Sequence, residues 1–67
     1  MDRNALCGEI RKNGLTHAKV AESIGMSAKT FSLKLKNGAF GIDEADRMIA
    51  LMKIKNPAAI FFDRKVT

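Results

Sequence analysis

The sequence predicts an all-α domain of four or five helices, and three observations carry that prediction. First, a helix-start signature occurs twice at a spacing of eleven residues: Leu15, Thr16 and Val20 stand as N′, N-cap and N4, and Met26, Ser27 and Phe31 repeat the arrangement. Each start therefore has a capping hydroxyl and a hydrophobic staple. Second, apolar residues recur at helical spacing, with no strand-like alternation, internal repeat or low-complexity tract between them. Third, Gly25 falls where the first of the two marked helices must end, because a left-handed residue after a helix costs glycine nothing. Only Gly25 and Met26 then separate Ile24 from the next N-cap, a turn that brings the two helices into a steep crossing.

At 67 residues the chain is expected to be one domain, residues 1–67, near the lower limit at which an apolar core holds unaided. Cys7 is the only cysteine and His17 the only histidine, which leaves no internal disulfide and no zinc-ligand set, so no cofactor is predicted. No apolar run approaches membrane-spanning length, and MDRNALCGEI lacks the basic and apolar regions of a signal peptide. The expected location is the cytoplasm.

The net charge of +5 is unevenly placed. Arg11, Lys12, Lys19, Lys29, Lys34 and Lys36 face only Glu22 between residues 11 and 38, whereas acids and bases nearly balance from Phe40 onward. A field of that sign on one surface favours a polyanion, nucleic acid before an acidic membrane, and a solvated basic face is the plain alternative.

In chain order, Asp2 caps a first helix over residues 3–13, Leu6 and Ile10 form its apolar pair, and Asn13 with Gly14 ends it. Arg11 and Lys12 suit the negative end of its dipole, and Cys7 reads as a half-buried small apolar residue without a role. The second helix, His17 to Ile24, turns Val20, Ala21 and Ile24 inward, with Ala21 small enough for a close neighbour. His17 at N1 is either a phosphate-facing residue or simply an exposed histidine. The third helix, Ala28 to Lys36, turns Phe31 and Leu35 inward and Lys29, Leu33 and Lys36 nearly opposite. A leucine between lysines and Ser32 fits a major groove with phosphates at its rims and thymine methyls on its floor; the alternative makes Leu33 a packing residue. Gly41 is the expected N-cap of a fourth helix, with Asp43 and Glu44 in its first turn and Ile42, Ala45, Met48, Ile49 and Met52 as the main wall of the core. After a linker over residues 53–55, Asn56 and Pro57 announce a short fifth helix to about Phe62, followed by a polar tail over residues 63–67.

Catalysis would need a nucleophile with a base, paired carboxylates in a cleft or a metal set, and none is visible. The glycines around Phe40 lack the lysine and hydroxyl of a phosphate loop. An enzyme is not expected.

The segment LTHAKVAESIGMSAKTFS resembles the helix-turn-helix of the lambda-repressor and Cro-like (XRE) family, with Leu15, Thr16, Val20, Ala21, Gly25, Met26, Ser27, Thr30 and Phe31 matching its pattern. The spacing of Phe31, Leu35, Phe40, Phe61 and Phe62 is similar to that of very small phage regulators. The resemblance implies a lambda-repressor-like domain whose helix-turn-helix spans residues 16–37. It also implies base contacts from Ala28, Lys29, Ser32 and Leu33 and phosphate contacts from Thr16, His17, Ser27, Lys36 and Asn37. His17 replaces the family's glutamine, which keeps a phosphate contact and removes the usual brace for a recognition side chain.

The functional expectation is a sequence-specific regulator that binds a double-stranded DNA operator as a homodimer. Ile54, Ile60, Phe62 and Val66 are the candidates for its interface, some of these apolar residues being needed for the core, to which Phe61 is assigned. The alternative is an interaction module that modulates a partner repressor or a toxin with little DNA binding of its own. RNA ranks behind both, because the basic stretch offers no exposed aromatics for stacking.

Overall fold

The computed structural model describes residues 1–62, among which the chain forms five helices: α1 (Arg3–Lys12), α2 (His17–Ser23), α3 (Ala28–Asn37), α4 (Ile42–Met52) and α5 (Pro57–Phe61). The expected polar tail over residues 63–67, and with it Val66, lies outside the described residues. The helix starts fall where the capping residues put them. Asp2 Oδ1 accepts from the Ala5 N–H at 3.0 Å, Thr16 Oγ1 from Lys19 at 3.1 Å and Ser27 Oγ from Thr30 at 3.1 Å. Gly41 has no side chain to cap with, so α4 carries half a capping box, Glu44 Oε1 accepting from the Gly41 N–H at 2.8 Å.

The helix ends follow one pattern. After α2 the Met26 N–H reaches the Ala21 carbonyl at 2.9 Å and the Gly25 N–H that of Glu22 at 3.2 Å, a pair of bonds that requires a left-handed residue between them. Gly25 supplies it, with φ at 86°. Gly14 and Gly38 do the same for α1 and α3. At the end of α4 the position is held by Lys53, φ 50°, the one non-glycine residue with positive φ among those described.

The core takes one or more side chains from every helix: Leu6 and Ile10, Val20 and Ala21 with the adjoining Ile24, Phe31 and Leu35, Ala45, Met48 and Met52, then Ile60. Phe31 is fully buried, with the Phe40 ring 5.3 Å from its own and the His17 ring at 5.6 Å on another side. The Asp2 N–H donates to the Ile60 carbonyl at 2.7 Å, which ties α5 back onto the start of α1.

Three expectations are corrected. Ile54 and Ile60, assigned to an interface between copies, are only 7% and 5% exposed, because the linker after α4 folds back and a domain this small needs them inside. Ile42, assigned to the core wall, is 73% exposed: as the first residue of α4 it lies beyond the edge of the packed layer. The helix limits shift by about one residue, α2 ending at Ser23 and α3 at Asn37, as fraying ends do. Phe61 is half-buried against the core and Phe62 is 61% exposed, in line with their assignments.

Candidate nucleic-acid interface

Burying Phe31 and Leu35 fixes which side of α3 faces out. Helical neighbours on one face are three or four positions apart, so side chains one, two or five positions from this pair lie on the flanks or point away. Lys29, Ser32, Leu33 and Lys36 are accordingly all exposed, Leu33 at 53%. Ala28 and Asn37, at the two ends of the same helix, are exposed as well. Among the described residues neither Lys29 nor Lys36 has a carboxylate partner, so both charges are presented to solvent. The remaining lysine of α3 behaves differently: Lys34 Nζ lies 3.0 and 2.8 Å from the two Glu44 carboxylate oxygens. It is a strut between α3 and α4 rather than part of the bare face.

Thr16, His17 and Ser27 are exposed at the starts of α2 and α3. Their capping bonds use the hydroxyls inward, Ser27 Oγ also donating to Thr30 Oγ1 at 3.0 Å. The His17 ring leans back on Phe31, and its Nε2 is 3.9 Å from Cys7 Sγ. The imidazole thus packs against the domain while the N–H groups of His17 and Ala18 have no protein acceptor among the described residues. An anion at this end would meet backbone donors first.

Two residues to which the sequence reading gave no such part hold the two-helix unit in place. Arg47 Nη1 donates to the Ile24 carbonyl at 3.0 Å, so a guanidinium from α4 caps the open end of α2 directly before the turn. Glu44 serves both the Gly41 N–H and Lys34. The Lys34 ammonium first, and the Gly41 N–H second, hold its carboxyl below the usual range. Glu44 was legible as a first-turn acid, but nothing local in the sequence announces its partner ten residues upstream or the bond across twenty-three residues made by Arg47.

Among the described residues no group of three or more His, Cys, Asp or Glu is placed to hold a metal ion, and no helix is long and apolar enough to cross a membrane. No family model matches the chain, and neither a curated protein nor a solved structure matches it.

Proposed function

We propose that this chain is a sequence-specific, double-stranded DNA-binding transcriptional regulator of the lambda-repressor or Cro-like kind, from a phage or prophage, which lays α3 in the major groove. The observation that carries the reading is the outer face of α3: Leu33, 53% exposed, framed by Lys29, Ser32 and Lys36, on the helix whose opposite side is anchored by the fully buried Phe31. One exposed leucine is ordinary on a protein surface; what supports the reading is its setting, on one helix face with a serine and two lysines that have no carboxylate partner among the described residues. A duplex supplies methyl groups on the groove floor and phosphates at its edges.

Ala28, Lys29, Ser32 and Leu33 are the proposed base readers, and Thr16, His17, Ser27, Lys36 and Asn37 the proposed phosphate contacts. One such unit touches too little DNA for strong specificity, so two copies on half-sites about one turn, ~34 Å, apart are part of the proposal. With Ile54 and Ile60 inside the core, Phe62 is the described residue left to serve that contact. No catalytic role, cofactor or membrane association is proposed, and the site of action is the cytoplasm. The alternative, a module that modulates a partner repressor or a toxin, draws on the same exposed Leu33 and predicts only weak, indiscriminate duplex binding.

Selection of bound sites from random duplexes, followed by anisotropy titrations on the winner, tests the proposal. Lys29→Ala with Leu33→Ala abolishes preference for the selected site while the melting temperature stays within a degree or two, since neither side chain is in the core. Lys36→Ala weakens all duplexes alike and lowers the salt slope by about one. Failure to select any sequence, or unchanged affinity in the double variant, overturns the reading.

A further inference from the structure

We propose that copies of this chain associate head to tail, the acidic start of α4 in one copy docking into a basic groove at the far end of α4 in the next. This goes beyond the duplex reading and does not depend on it.

The groove, about 510 Å³, lies between α1 and the segment that joins α4 to α5. Its lining joins the thin exposed edges of the buried Met52, Ile54 and Ile60 to the more open Ala5 and Ala59, and the exposed Lys12, Lys53 and Lys55 stand around it. The lining residues of α1 are Ala5, Glu9 and Lys12, whereas Cys7, which meets His17 at the start of α2, points to the other side of that helix. The groove is therefore turned away from the side of α1 that meets the start of α2. Lys53 sharpens its character. It occupies a left-handed position that glycine fills after each of the first three helices, so a lysine stands there in spite of its steric cost.

The occupant must bring acid and an apolar anchor together, and the chain carries such an element itself. Ile42 is 73% exposed, the exposed Asp46 follows it one turn later on the same strip, and the exposed Asp43 flanks both. The dipole at a helix start explains Asp43, but it gives no reason for a bare isoleucine. Glu44 takes no part, being held by Lys34 and the Gly41 N–H. A nucleic-acid strand fits the groove less well, because Glu9 adds a carboxylate to its lining.

Knob and groove are at opposite ends of an eleven-residue helix, roughly 15 Å apart, so a molecule cannot fill its own groove. The contact is heterologous. Each association leaves one knob and one groove open, and growth continues unless a ring closes.

Sedimentation velocity on the full chain, over a wide concentration range at low and high salt, tests this. The wild-type chain is expected to associate with rising concentration, less so in high salt. Two charge-reversed variants, Lys53→Glu with Lys55→Glu and Asp43→Lys with Asp46→Lys, each weaken self-association about tenfold or more. Mixed together they associate again, since each then offers what the other lacks. Ile42→Gln, which leaves every charge in place and keeps α4 helical by circular dichroism, weakens association as well. A wild-type chain that grows no further than the dimer proposed through Phe62 assigns the groove to another acidic partner or to none and overturns the proposal. So does growth beyond a dimer that survives both reversals, or a mixture that grows no further than a dimer while both variants remain folded.

Discussion

Helices α3 and α4 are nearly equal in length and both amphipathic, yet they spend their charged residues in opposite ways. On α3, Lys29 and Lys36 find no carboxylate partner among the described residues, and Leu33 stands bare between them. On α4, Glu44 binds Lys34 and the Gly41 N–H, and Arg47 reaches the carboxyl end of α2. The contrast separates a face held ready for something outside from a helix whose Glu44 and Arg47 are tied into the scaffold. It also shows how so small a core can hold a two-helix unit: the apolar contacts through Phe31 set the depth of α3, and two polar bonds from α4 set where the unit sits.

The contrast can be broken most severely at its shared anchor. Phe31→Ala removes the largest fully buried side chain and is expected to cost about 3–5 kcal/mol, a large part of the stability of a domain this size. Urea unfolding measures it, with Leu33→Ala, two positions on, as the internal control that stays within about 0.5 kcal/mol of wild type. If both substitutions cost alike, the division of α3 into an inner and an outer side is wrong.

A smaller effect is expected from the scaffold. Arg47→Met keeps an aliphatic stem and removes the bond to the Ile24 carbonyl, with an expected loss of about 1 kcal/mol. Amide chemical shifts should move at Gly25, Met26 and Ser27, far from residue 47 in the chain. Shifts confined to α4 would mean that the bond does not position the turn.

The smallest effect concerns the Lys34 and Glu44 pair, which is partly solvated and is expected to contribute less than about 1 kcal/mol. The folded pKa of Glu44 lies below its unfolded value, so this contribution is complete above the unfolded pKa and disappears as the pH falls through the folded one. In the acid range wild type and Glu44→Gln should converge in melting temperature, with the wild type ahead at neutral pH. A difference that persists or grows on acidification would assign the stabilisation to another group.

Much of this was legible in local sequence. The caps at Asp2, Thr16 and Ser27, the turn at Gly25 and the inward pairs Leu6 with Ile10 and Phe31 with Leu35 all depend on residues within about one helical turn of each other, and each is found where local chemistry puts it. The exposed side of α3 followed from the same periodicity. The destinations of the polar side chains of α4 did not, because Arg47 and Lys34 are chosen by the geometry between helices. The Cys7 and His17 contact was hidden for the same reason, ten residues apart on different helices.

The sequence by itself therefore determined the all-α class, the helix starts and which side of α3 turns outward, since capping and periodicity act over a few residues. Only the tertiary structure decided that Ile54 and Ile60 belong inside, that Ile42 does not, and that Lys34 is a strut. Those outcomes depend on how far each helix overlaps its neighbours. An apolar residue at helical spacing is buried only where another element is present to cover it.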